Sequence, residues 1–583
     1  ILTKESTQYQ KLGQVTNLNS LRTSALDEAP FSEYDYIIVG AGSAGCVLAS
    51  RLTEDPRVTV LLLEVGRPEN FFTDVPVIAP FFQRTEYAWP YHLEREPGVC
   101  LGMENNKCYW PRGRAVGGTS VINYMIYTRG RPGDWNNIAA DGNYGWSYED
   151  VLRYYMKSEK ADLKGYENSP YRGRFGEMNI GFVNFRTPLV EAFLEAGRIF
   201  GVPTVDYNAP EQLGFGYVQS NIKTGRRQSA AKVFLHPHKK RQNLHILSST
   251  TATKILIDDN TKTAEVIISA GPIASPQLLM LSGIGPREHL RSQGIQVIQN
   301  LPVGQTLYDH VTYPGLVFTI NDTVSVVEER ETNVPNFLQW LQFGNNVAAS
   351  PGGVEGIGYI RTPLADTLND IPDIELISLA GSIIADGGPS GSNAIRRGMK
   401  IAPETFDAAF GSVDKTRTDS YSIMPMMLHP KSAGYLELKD TNPFSHPRII
   451  GNYFTDPRDV ATLIASVRYI QALVSTPPFQ RYGAKLHKAD FPLCRTKLYD
   501  SDDYWECAIR TLTTSLHHQI ATCRMGPIGD PLAVVDPELR VHGVNRLRVV
   551  DSSIIPRTIS AHTHAPAVMI GEKAADMIKA TWD

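Results

Sequence analysis

Between Tyr34 and Gly66 the apolar positions first fall into regular elements. Tyr36 to Val39 is an apolar, partly β-branched run of strand length. Cys46, Val47, Ala49 and Leu52 recur at helical spacing, and Val58 to Leu63 is a second buried-strand pattern that ends on Glu64. Pro68 to Tyr91, rich in Pro and Phe, is a loop. A helix is predicted over Tyr144 to Lys160, with Ser147 as N-cap and Asp150 at the third position after it. Thr187 to Phe200 is another amphipathic helix, and Leu244 to Ser248 is a strand. From Tyr313 the pattern becomes alternating strands, Gly315 to Ile320, Ile374 to Leu379 and Tyr421 to Leu428, separated by Gly-rich loops such as Ala380 to Ser392. That reads as an antiparallel sheet in a unit of its own. Glu328 to Gly344 predicts a helix over it, whose Phe337, Trp340 and Phe343 read as packing residues. Residues 1–32 are polar and aperiodic, a surface arm.

The first unit carries chemistry. Gly40, Gly42 and Gly45 have G-x-G-x-x-G spacing between strand and helix. Gly40 permits the turn, Gly42 lets a pyrophosphate approach the backbone, and Gly45 lets helix and strand pack closely. The helix N-terminus offers free N–H groups to phosphate. Glu64, about 20 residues on, is placed to accept from a ribose hydroxyl. This fingerprint fits FAD and NAD equally.

Composition narrows the partners. The chain has 583 residues, 42% of them hydrophobic and 20% charged, with a net charge of −4. Length implies more than one domain. The charge and the lack of a basic run argue against nucleic acid, and no apolar run reaches the roughly 18 residues of a membrane span. No signal-like apolar segment is visible at the N-terminus, and a removed one fits equally well. None of the six cysteines forms C-x-x-C, so no metal site is expected. Cys46 and Cys523 read as buried thiols, the latter in an apolar strand. Cys100/Cys108 and Cys494/Cys507 are short-spaced disulfide candidates. With one sequon at Asn321, they favour a secreted protein.

Gly113 to Asn136 contains Gly113, Gly117, Gly118, Thr119, Ser120 and Asn123, a segment able to bind a phosphate or a flat ring through N–H groups. It resembles the first signature of the glucose–methanol–choline (GMC) oxidoreductases. Gly271 to Gly285 resembles the second, and the wording NNKCYWPRG and INYMIYTRG resembles arthropod members. The resemblance covers nearly the whole chain. It implies FAD and oxidation of an alcohol by hydride transfer to flavin N5, with oxygen or a quinone-like molecule as electron acceptor. It places Gly117, Gly118, Thr119 and Asn123 along the flavin, Ala252 near the adenine, and Asp551 near the pyrophosphate and ribityl chain. The position at which some members link flavin to histidine is Ile122 here, so non-covalent FAD is expected. Members usually carry a β-meander before Glu265. Here only Asp258 to Thr263 intervenes, which fits either a trimmed connection or residues absent from this sequence.

An alcohol-oxidising site needs a base, a second polar group for the forming alkoxide, and a hydride acceptor. Histidine suits the first role. Of fourteen histidines, His517, His518, His562 and His564 cluster in two short C-terminal segments. The family's H-x-x-G-T-C maps its base onto His518, with Ala521 in place of Gly. Counting back from Met569 places the partner at His564. If the segment is extended, His517 points to the opposite face. Asp309 and His310, in Leu301 to His310, read as structural. A hydroxynitrile lyase cleaving a cyanohydrin without net redox chemistry is the alternative function.

The fold class is α/β plus α+β: a Rossmann-like FAD-binding domain with a discontinuous cap domain on an antiparallel sheet. Residues 33–130, 215–310 and 538–583 are assigned to the first, and residues 131–214 and 311–537 to the second.

Overall fold

The computed structural model describes residues 2–4, 31–258, 263–331, 333–366, 370–385, 394–413 and 418–581. Most of the N-terminal arm and the connection 259–262 lie outside the described residues, as do parts of the Ala380 to Ser392 loop.

The apolar runs assemble into a five-stranded parallel sheet. Its order is Leu244–Leu247, Val60–Leu63, Tyr36–Val39, Thr263–Ile268 and Asn545–Val549. Val60–Leu63 is buried at every position, as near-continuous apolar strands of a covered parallel sheet require. It starts two residues later than its pattern because the Val58 N–H is held in a turn by the Asp55 carbonyl. The glycine fingerprint leads into the helix Ser43–Leu52, which packs on the C-terminal helix His564–Lys579. Gly571 permits that contact, since a Cβ there would stand 2.8 Å from the Ala44 carbonyl oxygen. Arg51 binds the buried Glu572 at 2.8 Å and Glu177 at 2.8 Å, joining three distant parts of the chain.

The second half is built on an eight-stranded sheet. Its main path runs Lys485–Leu486, Val317–Ile320, Asp419–Met427, Ile374–Leu379, Val354–Ile360 and Gly214–Tyr217, all antiparallel. Val311–Thr312 pairs with both Asp419–Met427 and the short strand Thr514–Ser515. Thr514–Ser515 lies three residues before His518, so this sheet edge positions that histidine.

Helices Tyr148–Ser158 and Pro188–Ile199 form where the pattern places them, the first with the Ser147/Asp150 capping box. The stretch expected as one helix over 328–344 forms two, Glu328–Glu331 and Val334–Phe343. Asn333 caps the second and Pro335 stands in its first turn, which starts a new helix rather than continuing one. Trp340 is buried and donates to the Gly225 carbonyl at 2.8 Å, whereas Phe337 and Phe343 are exposed. Cys523 is buried as expected but lies in irregular chain, not in a strand. Cys100–Cys108 and Cys494–Cys507 are disulfides, and Cys46 and Cys523 are free.

Candidate active site

A cleft of about 330 Å³ runs between the two sheets. Gly40, Gly42, Glu64 and Ala252 line one end, Gly118, Thr119, Asn123 and Asp551 the middle, and His518, His562 and His564 the other end. Gly45 and Gly117 stand behind this lining.

At the nucleotide end each glycine has a separate steric reason. Gly40 has φ +105°, and a Cβ there would meet the Ser269 carbonyl oxygen at 2.4 Å. A Cβ on Gly45 would meet the Gly40 carbonyl oxygen at 2.0 Å. Gly42 differs: the nearest atom to its Cβ position is 3.8 Å away, so the missing side chain leaves room on the cleft side. Glu64 closes this end. Its carboxylate accepts from the Ala41 N–H at 3.0 Å and the Gly66 N–H at 2.7 Å. Burial nevertheless pushes its pKa up to about 7, against the pull of those bonds and of Arg114. Ala252 adjoins it, in the strand whose Thr250 N–H donates to the Glu64 carbonyl.

In the middle, the Gly117 N–H donates to the Ala41 carbonyl at 2.8 Å, and a Cβ on Gly118 would stand 2.6 Å from Gly42 Cα. The two glycine loops therefore touch backbone to backbone. Thr119 Oγ1 accepts from the Gly113 N–H, and Asn123 Oδ1 accepts from the buried Arg227 guanidinium at 2.9 Å. The Asp551 carboxylate accepts from the Gly271 N–H, Ser275 Oγ and the Ser553 N–H, so it shapes the wall of the cleft. An open Gly42, a helix N-terminus and a buried acid at the strand end fit a bound dinucleotide.

The histidine end differs from the sequence expectation. His518 pairs with His562, their ring centroids 4.5 Å apart. His564 is the first residue of the last helix, and its Nδ1 lies 2.8 Å from Ser43 Oγ at the nucleotide helix. Its other nitrogen faces Asn221 at 3.5 Å. The ring set against His518 is thus that of His562, whereas the last helix starts at His564 and its ring is bonded to Ser43. His562 is held by its own N–H on Thr128 Oγ1 at 2.7 Å and by Glu375, whose carboxylate lies 2.8 Å from His562 Nε2. His517 has φ +64°, so the segment turns there rather than extending. Both His517 and His518 line the cleft, and the His517 carbonyl accepts from Arg112. Ala521 has φ +72°, the left-handed region that favours glycine.

His310 and Asp309, read from the sequence as structural, both contact His518. His310 Nδ1 is 3.0 Å from His518 Nδ1, and the Asp309 carboxylate accepts from the His518 N–H at 2.9 Å. Burial, then the charges of His562, His310, His517 and Arg112, hold the His518 imidazolium pKa well below its ordinary value. Burial takes His310 down to about 3, and burial with Arg227 takes His564 down to about 4. His518 is therefore a neutral imidazole at neutral pH, able to accept a proton. Glu375 was missed, although one signal for it exists: an acid inside the apolar strand pattern Ile374 to Leu379. Among the described residues no cluster of three or more His, Cys, Asp or Glu side chains suits a metal ion.

Two family models described as GMC oxidoreductase match residues 34–312 and 430–571. Glucose dehydrogenase (FAD, quinone) of Drosophila melanogaster is 37% identical over 96% of this chain and 89% of its own. Mitochondrial choline dehydrogenase of Homo sapiens is 34% identical over 98% and 94%, and ecdysone oxidase of Bombyx mori 31% identical over 94% and 82%. Among solved structures, pyridoxine 4-oxidase from Mesorbium loti superposes with a TM-score of 0.77 at 25% identity, covering 94% of this chain and 99% of that one.

Proposed function

The chain belongs to the GMC oxidoreductases, enzymes that oxidise alcohols or sugars, and on that premise we propose that it oxidises a primary or secondary alcohol to the carbonyl with non-covalently held FAD. One observation carries this reading: a buried, neutral His518 faces His562 in the same cleft as the glycine cradle. FAD, when bound, supplies the two-electron acceptor for the carbinol hydride. The glycine loops and Glu64 would hold its nucleotide half, with Gly118, Thr119 and Asn123 toward the ring. Ile122 offers no nucleophile for a covalent link.

The residues divide the proton work. His518 takes the hydroxyl proton at Nε2. For that, its Nδ1 must carry a hydrogen and donate to His310 Nδ1, which leaves Nε2 as the lone-pair atom. His562 then orients the substrate oxygen, its own ring held by Glu375. His564, on Ser43, serves the cofactor side. The electron acceptor is oxygen or a quinone-like molecule. The two disulfides and the exposed sequon at Asn321 support a secreted protein. A mass loss on N-glycosidase treatment tests that.

The function is tested by anaerobic absorbance spectra with a panel of alcohols and cyanohydrins, followed by air. Wild type is expected to show flavin bleaching by one alcohol, and acid precipitation to leave the flavin in the supernatant. His518→Ala keeps bound FAD and loses reduction by substrate, about 100-fold or more for a lost general base. Reduction of that variant at the wild-type rate overturns the assignment. A flavin that stays oxidised while a cyanohydrin is consumed makes the protein a lyase.

A further inference from the structure

The face of the antiparallel sheet that meets the histidine pair is apolar. Strand alternation places Glu375, Ile377 and Leu379 on one face. Glu375 holds His562, so Ile377, two residues on, stands about 7 Å along the strand from the group that positions the reacting end. Ile377 is directly opposite Met424, and Leu379 directly opposite Val354. All four line the cleft, and all four belong to a hydrophobic cluster that also takes in Met125, Ile126 and Leu516. Leu516 precedes His518 by two residues. The three central strands bring no charged side chain to the cleft lining. The one acid on that face, Glu375, is fully buried and bonded to His562.

This wall suits one kind of substrate. A sugar held against it would lose water from the hydroxyls that face Val354, Ile377, Leu379 and Met424, whose side chains offer no partner. Each stranded hydroxyl costs about tenfold or more in affinity. An apolar body gains from the same burial. Met125, Met399 and Met424 line the cleft, and their flexible thioethers adapt to ring outlines. We propose that the substrate is an alcohol with an extended hydrophobic body, aryl or alicyclic, whose carbinol end meets His518 and His562 while the body lies on Val354, Ile377, Leu379 and Met424. This rests on the alcohol-oxidising reading above.

The test uses the FAD-loaded enzyme under anaerobic conditions with an artificial electron acceptor. kcat/KM is measured for glucose and choline against aryl, alicyclic and polycyclic alcohols. The best apolar alcohol is expected to exceed glucose and choline by about 100-fold or more, the product of two stranded hydroxyls. Ile377→Asn and Met424→Gln should lower the apolar alcohol's kcat/KM about tenfold with FAD content unchanged. Glucose or choline as the faster substrate overturns the proposal. A binding measurement separates this failure from failure of the chemistry. A tertiary alicyclic alcohol has no carbinol hydrogen to give up, yet it should raise the melting temperature and compete with substrate. If no alcohol reduces the flavin but the tertiary alcohol binds, the oxidation reading falls and the apolar site stands. If it does not bind while glucose does, the apolar site falls.

Discussion

At the residue scale the histidine end of the cleft is a string of buried groups: His310, His518, His562 and Glu375. Burial without a compensating charge keeps His518 neutral, and this sets a sign for pH. A base whose pKa is depressed stays unprotonated as pH falls through the ordinary histidine value of about 6.5. The rate of flavin reduction is expected to stay flat from pH 8 to below 6 and to decline only at lower pH. Stopped-flow reduction across that range measures it, and a loss centred at 6.5 or above contradicts the burial argument. Glu375 makes a second prediction. Glu375→Gln keeps an acceptor for His562 Nε2, whereas Glu375→Leu leaves that nitrogen buried without one, at a cost of about 1–3 kcal/mol. Reduction should therefore be roughly tenfold slower or more in the Leu variant than in the Gln variant, with KM moving less than kcat. Equal rates in the two variants would show that the carboxylate does not position His562.

At the element scale the nucleotide loop separates folding from binding. Gly45 and Gly42 belong to one fingerprint but do different work. A methyl at 45 collides with backbone at 2.0 Å, whereas a methyl at 42 meets nothing of the protein closer than 3.8 Å. Gly42 has φ −79°, which alanine adopts freely. Gly42→Ala should fold with the melting temperature of wild-type apoprotein and fail to retain FAD. Gly45→Ala should lose folded protein outright. The 450 nm absorbance per folded chain, with circular dichroism as the folding control, distinguishes them. An FAD-replete Gly42→Ala protein would remove that glycine from the cofactor site.

At the scale of the whole molecule, single buried side chains tie distant segments together. Arg51 is one of them, bonded to fully buried Glu572 and to Glu177. Without Arg51, fully buried Glu572 keeps only the half-buried Lys157, 3.3 Å away, so the loss falls below the about 3–5 kcal/mol of a buried charge left wholly alone. Arg51→Met should lower the melting temperature by several degrees. The double variant Arg51→Met/Glu572→Met should recover part of it, because the fully buried carboxylate is then gone, Lys157 keeps Asp576 and Glu177 is partly open to solvent. Calorimetry of wild type, both single variants and the double variant checks this, and additive losses in the double variant would mean that the pair is not coupled. The same scale explains why the candidate site lies on a seam: the first sheet presents the glycine loops and the second presents the apolar wall and Glu375.

Local patterns were legible because their causes are local. Gly40, Gly42, Gly45 and Glu64 sit within one strand–helix–strand unit, where spacing alone dictates which atoms face the turn. The Ser147/Asp150 cap and the alternation in Ile374 to Leu379 are likewise one-segment facts. The identity of the histidine pair was not legible. His562 and His564 are two residues apart, and only the start of the last helix at His564 sends one ring to His518 and the other to Ser43. His310 and Glu375 meet the site across separations of 208 and 187 residues. No periodicity reports a contact of that kind, because it depends on how two sheets are set against each other. The sequence by itself determined the nucleotide unit, the two-sheet class and the set of candidate bases. The tertiary structure alone decided which imidazoles face each other, which carboxylate holds one of them, and that the wall beside them is apolar.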